Sequence, residues 1–149
     1  MRTLATLLGG LLCVAAAGAC ASGGGPSTGD GEFVVDFDAA IRGMSRYANV
    51  RGAARAVATL GTTAVTVDLQ GGVPGSRHPW HIHYGRCGSG GSIVGSAAAY
   101  PPLEPDAEGS DRATTTLGVQ LDDDTRYHVN VHLSAEEMDV VIACGNLVD

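Results

Sequence analysis

The chain contains no lysine; all nine of its basic residues are arginines, and they form no cluster. With sixteen acidic residues the formal net charge is -7. An acidic surface without a basic patch repels a phosphate backbone, which excludes nucleic acid as a partner. No Gly-rich turn ending in Gly-Lys-Ser/Thr is present, so there is no phosphate loop. No Gly-x-Ser-x-Gly elbow and no paired-carboxylate constellation stand out, and nothing points to a hydrolase. After the first twenty residues no apolar run is long enough to cross a bilayer. Asp122-Asp123-Asp124 lacks the spaced oxygen ligands of a calcium loop and reads as a solvated turn. No internal repeat is visible. What remains, 149 residues with 44% apolar content and 22 glycines, describes one soluble domain with loops rich in glycine.

Residues 1–20 read as an export signal. Arg2 supplies the positive start, an uncharged Leu- and Ala-rich run follows, and the segment ends Ala17-Gly18-Ala19-Cys20. This ending resembles the lipobox of bacterial lipoproteins and predicts lipidation at Cys20, although Ala17 stands where that box carries leucine. Cleavage near Ala19 or Ala21 without lipidation is the alternative. Residues 21–31, rich in Gly and Ser, form a flexible linker, and residues 32–149 form the domain. The expected location is extracytoplasmic: a membrane-anchored lipoprotein, or a secreted or periplasmic protein, touching a membrane only through an N-terminal lipid. Cys13 leaves with the signal. If Cys20 carries lipid, Cys87 and Cys144 are the remaining pair in an oxidising compartment. A bond between them would add about 4 kcal/mol against the unfolded chain; two buried thiols are the other reading.

The domain alternates in short strands. Residues 32–38 start a first strand, and 39–49 form a short helix or a loop, with Ile41, Met44 and Ala48 on one helical face. Residues 51–60 carry small side chains on both parities and suit a strand or a helix. Residues 62–69, 112–121 and 126–133 alternate clearly as strands, and 139–147 close the chain. Within 126–133, Tyr127, Val129, Val131 and Leu133 face inward, leaving His128, Asn130 and His132 on the opposite face. Ser134 to Glu137 suggests a capped helical turn. Six to eight strands with Gly and Pro turns point to an all-β antiparallel sandwich or barrel.

One stretch carries the chemistry: His78-Pro79-Trp80-His81-Ile82-His83-Tyr84-Gly85-Arg86-Cys87, with three of the five histidines and the only tryptophan. His81 and His83 are two apart, so on a strand they share a face with Cα atoms about 6.6 Å apart. Ile82, Trp80 and Tyr84 then point to the core. Pro79 lacks an amide donor, which starts the strand after it or places it at an edge. His132 stands on a later strand. His78 belongs to the same stretch, on the wrong parity to join His81 and His83 unless Pro79 bends the chain. His128 lies about 13 Å before His132 along the strand and is expected at the surface.

These pieces resemble the copper-zinc superoxide dismutase family. His81-Ile82-His83 is similar to its paired copper histidines. Val131-His132-Leu133-Ser134-Ala135-Glu136-Glu137-Met138 resembles its later copper strand and acidic turn, and Ile142-Ala143-Cys144-Gly145-Asn146-Leu147 its closing strand. The order holds from about Val50 to Val148. The resemblance implies a Greek-key immunoglobulin-like β-sandwich, copper at His81, His83 and His132, and a Cys87–Cys144 disulfide. The chain also departs from the enzymes. No histidine lies between Cys87 and His128, so a zinc site of the family type is absent. Val141 stands where the enzymes carry the arginine that guides superoxide. The function expected is an exported copper-binding protein of the cell envelope. A copper-only superoxide dismutase, with superoxide as substrate, and a metal-free structural or binding sandwich are the alternatives.

Overall fold

The computed structural model describes residues 35–149. The expected signal at 1–20 with Cys20, the expected linker at 21–31 and the first residues of the expected first strand lie outside that range. Seven strands form one antiparallel sheet: β1 (Val35–Gly43), β2 (Arg51–Thr59), β3 (Thr62–Gln70), β4 (Trp80–Tyr84), β5 (Asp111–Leu117), β6 (Tyr127–His132) and β7 (Val141–Leu147). Their order is β4-β6-β7-β1-β2-β3-β5. The sheet is strongly curled into a half-barrel of β-sandwich type, with one core inside the curl.

Period-two patterning builds the core. Ala54, Ala56 and Ala58 of β2 and Val65, Val67 and Leu69 of β3 are buried along single faces. The alanines keep this wall thin, and a row of small side chains lets the sheet bend over the larger residues opposite. Those are Trp80 and Ile82 from β4, Tyr127, Val129 and Val131 from β6, and Leu103 and Leu121 from loops. The β2–β3 hairpin closes through Leu60 and Gly61, and Gly61 takes φ +79°, a conformation that L side chains rarely adopt.

β4 and β5 are the two sheet edges, and the connection between them seals the open side. On the outer edge of β4, His83 bridges to Ile93 and His78 to Leu103. Thr115 of β5 donates its hydroxyl to Ala99 O, and the Trp80 indole N–H donates to Pro101 O at 2.7 Å. An edge strand with Pro79 just before it is thereby covered rather than left open.

Several expectations are corrected. Residues 39–43 continue β1, because Ala39 and Ile41 alternate into the core, and only Ser45–Tyr47 forms a 3₁₀ turn. Residues 51–59 resolve as strand, and Leu60 begins the turn. β5 stops at Leu117, before Gly118; Leu121 is buried from a loop, its amide donating to the Thr63 hydroxyl. Residues 134–137 form bends and no helical turn, since the segment turns back at once through the Val140 amide bonded to Glu137 O. Tyr84 is 40% exposed rather than core, because it ends its strand; its ring lies 5.6 Å from that of Tyr127.

Candidate metal centre

The registers of β4, β6 and β7 place two different surfaces back to back. Trp80, Ile82 and Tyr84 oppose Val131, Val129 and Tyr127. The other face carries His81 opposite Asn130 and His83 opposite His128, with Cys144 and Asn146 next to Asn130 and His128 on β7. This is the outer, polar face of the sheet. All six residues of β6 are nonetheless buried, because two loops lie over it.

The first loop is fastened by a disulfide. Cys87 and Cys144 are bonded across 57 residues, and the Cys87 amide donates to Asn146 Oδ1 at 2.8 Å. The bond resolves the thiol alternative and pins residues 86–91 onto the histidine face. His128, expected at the surface, is buried for this reason: its ring is 1% exposed and stacks on His83 with centroids 5.4 Å apart. The second loop, 133–140, covers His132.

Under these loops His81, His83 and His132 converge. Each ring offers one ligand nitrogen, and those atoms all lie within 4.8 Å of one another. Ring centroids are 5.3 to 5.8 Å apart. The hydrogen bonds fix the tautomers. His83 donates its Nδ1–H to Gly91 O at 3.0 Å, and His132 donates its Nδ1–H to Met138 O at 2.6 Å. The Nε2 atoms of both rings therefore carry lone pairs, and both are buried without a partner among the described residues. His81 Nδ1 is buried and unpartnered as well. Three orphaned imidazole nitrogens, one from each ring, could together hold a cation. A ring shift of under about 1 Å brings each to the ~2 Å of a metal–imidazole bond. The two carbonyls are the outer acceptors that metal-bound histidines use for orientation.

His78 is not a fourth ligand. It is buried, its Nδ1–H donates to Leu133 O at 2.9 Å, and its Nε2 meets Ser76 Oγ at 2.7 Å. With both nitrogens occupied it clamps the strand exit that carries His132. His128 lies on the same polar face but outside the converging trio, with its Nδ1 and Asn130 Oδ1 also unpaired. No zinc-type ligand set accompanies the trio among the described residues.

Burial favours the neutral form of His81, His132 and His128. Desolvation, then the neighbouring His132 and His83, lowers the His81 pKa from 6.5 to about 4. Desolvation also lowers His132 and His128. A neutral imidazole is the form that binds metal. In the metal-free protein the unfolded chain takes up a proton on His81 as pH falls below about 6.5, whereas the folded chain accepts it only near pH 4. Stability is therefore full above pH 6.5 and falls as the pH drops from there to about 4. Urea midpoints of the metal-free protein should be lower at pH 5 than at pH 7.5; a constant midpoint would contradict a buried, neutral His81.

Gly91 is a position that the sequence gives no reason to single out. Its φ is +126°, and a Cβ there would lie 2.1 Å from Tyr84 O. Only glycine brings its carbonyl to His83. Gly91→Ala is expected to cost about 1–3 kcal/mol of stability in backbone strain and to weaken metal binding about 10–100-fold, as loss of an outer acceptor does. Thermal melts and a chelator competition on the purified variant check both.

No protein-family model matches the chain, and no curated protein matches it significantly.

A cleft of about 790 Å³ lies beside the trio, with His81 in its lining. Tyr100 forms part of its wall, its ring 5.1 Å from that of His81 and its hydroxyl donating to Val94 O at 2.7 Å. Met138, whose carbonyl holds His132, lines it as well. A bound ion would have three protein ligands.

Proposed function

We propose that the chain is an exported copper-binding protein of the cell envelope, a divergent member of the copper-zinc superoxide dismutase type of Greek-key sandwich that has kept a mononuclear copper site at His81, His83 and His132. The observation that carries this reading is the set of three buried, unpartnered ring nitrogens within 4.8 Å. Leaving three such atoms buried without a partner costs stability, and a metal ion removes that cost. Imidazole ligands suit copper, and affinity at nitrogen sites peaks at copper and falls at zinc. The disulfide is consistent with an oxidising compartment, and the signal at 1–20 with lipidation at Cys20 supplies the route and the anchor.

Superoxide turnover is the second reading, favoured by the cleft that His81 lines. Against it, the family's guiding arginine is replaced by Val141, and Arg77 at the cleft is paired with Glu104 at 3.3 Å. Copper and zinc titrations of the mature protein, followed by a superoxide assay on the copper form, test the proposal. One tightly held copper, zinc bound more weakly and no rapid turnover are expected. Rapid turnover lost in the His132→Ala variant would establish the enzyme instead. Absence of stoichiometric copper would leave a metal-free sandwich.

A further inference from the structure

The three rings of the trio differ in one respect. His83 and His132 each donate an outer N–H to a carbonyl of the chain, Gly91 O and Met138 O. His81 has no such acceptor. Its Nδ1 belongs to the set of orphaned nitrogens. Its Nε2 makes no hydrogen bond among the described residues, yet it is not one of the buried atoms left without a partner. Nε2 is therefore open to solvent, and His81 is the one ring of the trio that lines the cleft. We propose that the cleft binds a small organic carboxylate with an apolar body, whose oxygen accepts the His81 Nε2–H and becomes the third outer acceptor of the copper site. The ligand touches the ring and not the metal. This rests on the copper reading of the trio and adds a ligand that sets how tightly the metal is held.

Three features carry it. A metal-bound histidine nearly always holds a carboxylate, a carbonyl or water on its other nitrogen. Metal on Nδ1 puts the proton of His81 on Nε2, so the donor is present and the chain supplies no acceptor for it. Second, the trio contains no carboxylate. A copper ion on three neutral rings keeps its charge, and an anionic oxygen on the N–H makes a charge-assisted bond. The rim does not compete for that oxygen, because Arg77 is paired with Glu104 at 3.3 Å. Finally, the body has a place. The cleft holds about 790 Å³, in the range of small organic ligands, and Ile93, Tyr100, Pro102 and Leu133 give it apolar walls. Tyr100 packs edge-on against His81 and spends its hydroxyl on Val94 O, which leaves an aromatic surface beside that ring.

Phenylacetate is the probe, and acetate, with the same head and no apolar body, is its control. Copper affinity of the mature protein is measured by competition with a chromophoric chelator, without added ligand and with each carboxylate at one concentration. Saturating phenylacetate is expected to tighten copper binding at least about tenfold, the size of an outer-acceptor effect. By reciprocity, copper-loaded protein should bind phenylacetate more tightly than metal-free protein by the same factor. Acetate should leave copper affinity as it is. Proton–nitrogen NMR of the diamagnetic copper(I) form reads the head: the His81 Nε2–H resonance should move, and the Nδ1–H resonances of His83 and His132 should not. Ala97→Trp is the matched variant. Ala97 is an exposed residue of the cleft, outside the metal-ligand set, and a tryptophan there would fill the space. The phenylacetate gain should vanish in it while copper affinity without the ligand stays as it is. Copper affinity that phenylacetate leaves unchanged would show that solvent alone serves His81; it would overturn the inference and leave the copper site standing. A gain that acetate matches, that survives Ala97→Trp, or that comes without a shift at His81 Nε2–H would take the ligand out of the cleft and overturn it too. Failure to load copper at all would remove the copper reading and this inference together.

Discussion

Replacing His132 with alanine is expected to weaken copper binding by at least about 100-fold. The estimate follows from chemistry rather than from counting contacts. Loss of an outer acceptor alone typically costs 10–100-fold in metal affinity, and His132 supplies a direct ligand. Its Nε2 is one of three unpartnered nitrogens, and its Nδ1 is already committed to Met138 O; no other nitrogen of the trio can stand in. His81→Ala should behave alike. His128→Ala is the control: that ring stacks on His83 but lies outside the trio, so its loss should change affinity less than tenfold. Competition with a chromophoric chelator measures all three. Equal losses in the His128 and His132 variants would mean that packing of the polar face, and not ligation, governs binding.

The second large effect is on stability. Breaking the Cys87–Cys144 bond, by replacing both cysteines with alanine, releases a loop of 57 residues in the unfolded chain. The loop-entropy estimate is about 4 kcal/mol, or roughly 10–20 °C in Tm for a domain of this size. A further consequence belongs to this fold. The bond holds the loop that carries Gly91, and Gly91 O orients His83. The double variant should therefore lose copper affinity as well as stability, even at temperatures where it remains folded. A melt lowered as expected but with unchanged copper affinity would show that the loop stays in place without its staple.

Much of this was legible in the residues. Strict alternation in 62–69 and 126–133 marks β3 and β6, and His81-Ile82-His83 puts two rings on one face while sending Ile82 inward. The resemblance to the superoxide dismutase family implied the pairing of Cys87 with Cys144, and the structure joins them. The failures have a common cause. A periodic pattern says which residues share a face, but not what covers that face. His128 and Asn130 are in phase with His132, yet they read as solvent-facing because no local signal announces that residues 86–91 are tied down over them. His78 and Tyr84 failed for a related reason: one finds both its partners in the chain around it, and the other sits where its strand ends. The carbonyls of Gly91 and Met138 were out of reach, since any residue has a carbonyl and only the folded backbone aims it. At 39–43, helical spacing of Ile41, Met44 and Ala48 coexisted with strand alternation of Ala39 and Ile41, and pairing of β1 with β2 and β7 decided for the strand.

The most direct measurement is anomalous diffraction at the copper edge from crystals of the copper-loaded mature protein. The account predicts one strong peak per chain, about 2 Å from His81 Nδ1, His83 Nε2 and His132 Nε2, with the Nδ1 atoms of His83 and His132 still on Gly91 O and Met138 O. A peak at any other place, or none at the trio in crystals shown to contain copper, would contradict it.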